Sequence, residues 1–172
     1  MSYIYGFLFK IVTFPGQIFR ILAYRFMCDL LKVKVYEVNY FRGELVHGTI
    51  SNLRKAFLIS IAPLFVNTLL CTVLTFPAVF PFLIGDNAVV WPIFLAWLGL
   101  SLGVHAFPQR KVIDLFVDSV DSSQRGGFFY SLCKVFGYTM AFVNLLRFFW
   151  FDLIYAVAVA VAFPFLLLRF GY

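Results

Sequence analysis

Residues 56–85 are thirty consecutive positions without one charged side chain, fenced by Arg54-Lys55 before and Asp86 after. A helix crossing the hydrocarbon core of a bilayer needs roughly 20 apolar residues. A run of this length has few alternatives to a membrane. Within it, Pro77 and Pro81 are expected to end the helix and leave an irregular tail, buried or at the interface. Residues 87–109 form a second charge-free run, closed by Arg110-Lys111, and residues 148–168 a third, holding only Asp152 near one end. Each predicts a span. The composition agrees: 63% of the chain is hydrophobic and only 13% is charged. Soluble domains run near 45–50% apolar and about 25% charged. A cytosolic enzyme, a disordered tail and a secreted disulfide scaffold are thereby excluded.

The expected fold is mostly α: a polytopic helical membrane protein forming a single integral domain over residues 1–172. Three spans are joined by an N-terminal, partly embedded helix, one interfacial helix and a small β-hairpin near residues 33–50. Met1 to Phe14 is apolar except for Lys10, and it carries no small-residue cleavage site, so it is read as retained. Pro15-Gly16 marks a break or a helix start. Residues 16–31 then read as a helix carrying Arg20, Arg25 and Asp29, with Arg25 and Asp29 spaced to pair. An arginine in lipid costs ~2.5–3.5 kcal/mol on insertion scales. This helix therefore either lies partly in the interface or sits inside a bundle that supplies partners.

Val33 to Phe41 is dense in β-branched and aromatic residues, and Arg42-Gly43 and the segment ELVHGTI follow, a hairpin signature. Residues 109–122 are amphipathic, with Asp114, Asp118 and Asp121 on one face and Ile113, Phe116, Val117 and Val120 on the other. Residues 128–147 read as a further apolar helix with Lys134 and Arg147, either interfacial or running on into the last span.

The net charge of +6 does not indicate nucleic acid, because the basic residues stand singly beside apolar runs. Residues 1–55 hold eight of the fourteen, and residues 108–147 hold five. By the positive-inside rule both regions are expected on the cytoplasmic side of a cell inner or plasma membrane, or of an energy-converting organelle membrane. The three cysteines (Cys28, Cys71, Cys133) are isolated and form no zinc or disulfide pattern.

Several side-chain sets invite a chemical reading. Ala96, Gly99 and Gly103 make a small-residue stripe on the second span, expected to pack against a neighbouring helix rather than form a dimer seam. Ser60, Pro63, Asn67 and Cys71 share one face of the first span. A polar stripe in a membrane helix faces protein or a cavity, and Asn67 is its sharpest member. Glu44 and His47 are three apart, but on a strand they face opposite sides and do not converge on a metal. His105 alone is a weak ligand candidate.

Taken in order, Phe14-Pro15-Gly16, the hairpin, the segment APLFVN (Ala62 to Asn67) and the segment HAFP (His105 to Pro108) resemble the membrane-embedded zincin peptidases related to the site-2 proteases. The resemblance covers roughly residues 13–115, and the helices within 128–168 are only generally similar. In that family the first helix carries HExxH after a Pro-Gly pair, followed by a cysteine and a strand like Lys32-Val33-Lys34-Val35-Tyr36-Glu37-Val38. HExxH works because two histidines one turn apart hold zinc while the glutamate is the general base. Here the histidine positions are Arg20 and Tyr24, the glutamate position is Ile21, and the later acidic position is Val112, with Asp114 nearby. A guanidinium stays protonated and cannot ligate zinc. The resemblance thus implies a degenerate member without zinc or catalysis. Arg20 either replaces the metal's positive charge, pairing with carbonyls or Tyr24, or marks ordinary drift of a disused site.

Three functions follow. The first is a pseudoenzyme kept for its frame, an accessory or scaffold subunit of a larger membrane complex, with lipid and other integral subunits as partners and no soluble small-molecule substrate. The 24 phenylalanines suit such packing. The second is an intramembrane zinc metalloprotease with ligands drawn from Glu44, His47, His105 and Asp114. The third is a small oligomeric transporter or channel using Arg20, Arg25, Arg147 and Asp152. Pigment or quinone binding through His105 is a further possibility that nothing in the sequence requires.

Overall fold

The computed structural model describes residues 9, 11–41, 43–48, 50, 52–85, 90–123 and 126–170. Its architecture is mostly α and polytopic, with a two-stranded antiparallel sheet. In chain order the elements are α1 (Phe14–Leu30), β1 (Val35–Asn39), β2 (Glu44–His47), α2 (Leu53–Leu83), α3 (Val90–Val104), α4 (Arg110–Asp121), α5 (Phe128–Leu146), a 3₁₀ turn (Arg147–Phe149) and α6 (Phe151–Phe170). Three of these, α2, α5 and α6, are long and apolar enough to cross a membrane.

Pro15 sits in the first turn of α1, where a missing N–H costs nothing. The helix ends with Val33 N–H donating to Cys28 O and Lys32 N–H to Asp29 O, while Lys32 takes a left-handed φ of 53°. Arg25 and Asp29 form the expected one-turn pair at 3.9 Å on the exposed face. The hairpin pairs Val38 with Leu45 and Asn39 with Glu44, and Gly43 turns the chain at φ 70°. Arg42 of the predicted turn, like Asp86 and residues 1–8, lies outside the described residues.

Three expectations are corrected. Pro77 and Pro81 do not end the first span: α2 runs unbroken for 31 residues with Pro63, Pro77 and Pro81 inside it. A proline removes one backbone hydrogen bond, whereas an irregular tail in lipid strands several. Among the described residues of the second predicted span, 87–109, helix covers the 15 residues of α3, and Ala106, Phe107 and Pro108 beyond it are buried irregular chain. Residues 128–147 do not run on into the last span as one unbroken helix. The 19-residue α5 is separated from α6 by the 3₁₀ turn and by Trp150 at φ 60°.

Side-chain contacts give the directions. Going down α2, Phe57 meets Phe129 and Phe136. Leu64 then meets the Phe107, Met140 and Val143 cluster, Thr68 meets Tyr155, and Phe76 meets Phe163. Thus α5 and α6 both run parallel to α2, as two halves of one interrupted helix. In the same descent α2 meets Phe116 beside Phe57, then Gly103 beside Cys71, then Gly99 beside Thr75. Thus α3 and α4 are the halves of a second interrupted helix running the other way. The two interruptions, at 105–109 and 147–150, lie side by side partway along α2, because Arg147 Nη2 donates to Phe107 O at 3.0 Å.

The stripe of small residues explains how close the helices come. A Cβ on Gly99 would sit 2.7 Å from Thr75 Cγ2, and one on Gly103 would sit 2.8 Å from both Ala156 Cβ and Cys71 Sγ. Both glycines therefore pack inside the chain, against α2 and α6, while Ala96 is half-buried. All three cysteines are free and buried.

Candidate functional site: a polar centre between two interrupted helices

The stripe on α2 turns inward. Ser60, Pro63, Asn67 and Cys71 are all buried. Asn67 Nδ2 donates to the backbone oxygen of His105 at 3.0 Å, satisfying a carbonyl released where α3 stops. The Asn67 Oδ1 atom is buried with no hydrogen-bond partner.

Around this contact α1 and α3 pack backbone to backbone. Gly16 N–H donates to Ser101 Oγ at 2.9 Å, and Ser101 Oγ donates to Thr13 O at 2.9 Å. A Cβ on Gly16 would lie 1.9 Å from Ser101 O, so only glycine permits the approach. Thr13 Oγ1 gives its proton to Phe9 O at 2.8 Å and lies 3.1 Å from His105 Nε2. With that proton committed, the threonine oxygen accepts and His105 Nε2 carries the hydrogen, an assignment made from the network. His105 is held as a donor in the packing of α1 on α3.

Arg20 is only 6% exposed on α1, and its Nε is buried without a hydrogen-bond partner. The expected pairing of Arg20 with carbonyls or Tyr24 is not made at that nitrogen. Its Nη2 crowds Gly43, where a Cβ would sit 3.2 Å away, so the hairpin turn closes over the guanidinium. Arg147 and Asp152 lie within its electrostatic reach. Each nitrogen of Arg147 has a partner: Nε pairs with Asp152 Oδ2 at 2.9 Å, Nη1 donates to Asn144 Oδ1 at 2.8 Å, and Nη2 reaches Phe107 O. This pair ties one helix break to the other. Irregular backbone at membrane depth is tolerated where protein groups satisfy it, and these side chains do so.

Beside this centre, a cavity of about 240 Å³ opens between α1, β2 and α4, lined by Ile21, Tyr24, His47, Gln109, Lys111 and Val112 among others. Gln109 N–H donates to the Tyr24 hydroxyl at 3.4 Å. Ile21 and Tyr24, one turn apart on α1, thus face one space with Val112, which is distant in sequence. Of the other ligand candidates, Glu44 and His47 line the same cavity, whereas His105 and Asp114 do not. Glu44 pairs with Lys111 at 2.9 Å, Asp114 with Arg110 at 3.9 Å, and His47 Nδ1 donates to Gly48 O at 2.8 Å. Among the described residues no three His, Cys, Asp or Glu side chains gather at one point, so Glu44, His47, His105 and Asp114 are not brought together. The residues do not fit zinc at the positions the resemblance assigns. Ile21 and Val112 offer no lone pair, and the neighbouring buried Arg20 would repel a divalent cation.

Sequence reasoning singled out Arg20, Tyr24, Asn67 and His105, and all are in or beside this centre. It missed Thr13, Ser101 and Gln109. Ser101 and His105, four apart on one helix face, were the available signal. The fold and site define a mostly-α polytopic membrane protein with a buried polar centre at two helix breaks. Comparisons of the chain with protein-family models, with curated proteins and with solved structures give no match.

Proposed function

We propose that this chain is a non-catalytic integral membrane protein, built on a degenerate site-2-protease-like frame, that serves as an accessory or scaffold subunit of a larger membrane complex. The observation that carries the reading is the cavity lined by Ile21, Tyr24 and Val112. The resemblance puts a general base and two zinc ligands at these positions, and an aliphatic, a phenol and an aliphatic stand there. Those three side chains supply neither a metal-ligand set nor a carboxylate base for hydrolysis, and the Glu44 and His47 that also line the cavity are engaged by Lys111 and by Gly48 O.

Large outward apolar surfaces support the second half of the proposal. Trp91, Phe94 and Trp97 on α3, and Phe128, Val135 and Phe142 on α5, are exposed, and lipid or neighbouring subunits would cover them. The end of the molecule where the hairpin begins and α2 starts carries Lys32, Lys34, Arg54 and Lys55, and by the positive-inside rule we read it as the cytoplasmic end. Extraction of the tagged chain in a mild detergent tests the reading. A defined set of integral membrane chains should co-elute in fixed ratio through gel filtration and survive a second affinity step. A lone, monodisperse chain of about 20 kDa that retains peptidase activity would end it.

A further inference from the structure

A second cavity, of about 450 Å³, lies where α1 ends, the hairpin begins and α2 starts, lined by Lys32, Val33, Lys34, Tyr36, Gly48 and Lys55 among others. Three lysines line one space, and none of them forms an ion pair among the described residues. Of the acidic groups nearest in sequence, Asp29 is engaged by Arg25, and Glu37 does not line the cavity. Lys55 Nζ donates to Leu31 O at 2.9 Å, which fixes the side chain and leaves two N–H groups for a ligand. Lys32 takes its left-handed φ of 53° at the position after a helix where glycine is the usual occupant.

Depth identifies the ligand. The 31 residues of α2 extend about 46 Å, and a bilayer with its headgroups measures about 40–45 Å. Lys55 stands in the first turn of α2, so the cavity lies at headgroup level. Phe26 and Leu30 on the adjoining face of α1 are each 64% exposed, an apolar surface of the kind acyl chains cover. We propose that this cavity binds the phosphate-bearing headgroup of an anionic phospholipid, with Lys32, Lys34 and Lys55 as the phosphate contacts. The proposal stands independently of whether the chain is a scaffold subunit.

Native mass spectrometry of the purified full chain, titrated with dioleoylphosphatidylglycerol or dioleoylphosphatidylcholine, tests it. One phosphatidylglycerol per chain should bind at about tenfold lower concentration than phosphatidylcholine, since each lysine near an anionic surface favours it severalfold. In the Lys32→Gln/Lys34→Gln variant, whose two positions are exposed and leave the packing intact, the preference should fall to about twofold or less. Lys134→Gln, on an exposed face of α5 that does not line the cavity, should keep it. Equal binding of the two lipids, a preference that survives the double variant, or an equal loss with Lys134→Gln would each overturn the site. Displacement of the lipid by millimolar inorganic phosphate would overturn the lipid assignment in favour of a soluble phosphate.

Discussion

Arg20 is the residue on which the reading of the site turns. A guanidinium taken out of water loses several kcal/mol of hydration, which direct hydrogen bonds and a counter-charge normally offset. Arg20 is 6% exposed, its Nε is unbonded, and Asp152, the carboxylate that acts on it electrostatically, is already engaged by Arg147. Replacement by an apolar side chain of similar length then removes a penalty rather than a support. Arg20→Met is expected to raise the stability of the detergent-solubilised chain by about 1 kcal/mol or more, read as an upward shift in Tm. A loss of about 2 kcal/mol or more would show that the guanidinium holds the centre together. His105 and Asn67 are different in kind, because each bonds backbone or side chain across a helix contact. The sequence marked all three as unusual in an apolar run. It did not say which were satisfied, because their partners come from residues 38 to 92 positions away.

At the scale of elements, the sequence was most legible where polarity alternates with a period. The helix α1, the hairpin and α4 were each visible, since two faces of different polarity set their registers. The charge-free runs were less informative. Hydropathy records the absence of charge, and both a straight span and an interrupted one satisfy it. The runs at 87–109 and 148–168 therefore gave no sign that helix stops at Val104 or that a 3₁₀ turn and Trp150 precede α6. The opposite error came at Pro77 and Pro81, where a breaker in water is tolerated in a helix surrounded by lipid and protein. The contact of α1 with α3 is the tightest of these joints and tests the packing. Gly16→Ala forces its Cβ into Ser101 O and opens the Gly16–Ser101–Thr13 bonds, at a cost of about 3 kcal/mol. Gly126→Ala, with nothing within 4 Å of the new carbon, should stay within about 0.5 kcal/mol. Thermal unfolding of the two variants side by side separates a packing requirement from a general intolerance of substitution.

The molecule as a whole is a long helix, α2, flanked by two helices that each break at the same depth and run in opposite directions. Its basic end gathers the start of the hairpin, Lys55 and the loop after α4, and its other end gathers the end of α6 beside Phe76. Between them lies the polar centre, held by Arg147, Asp152, Asn67 and His105. The frame accommodates a buried site, while the side chains at the positions implied for catalysis supply no base and no ligand set. The zinc content of the purified chain tests this most directly. Elemental analysis after incubation with equimolar zinc and gel filtration should find well under 0.1 zinc per chain, because Arg20, Ile21, Tyr24 and Val112 offer no tetrahedral donor set. One zinc per chain, retained through filtration and lost on His105→Ala or His47→Ala, would contradict the account.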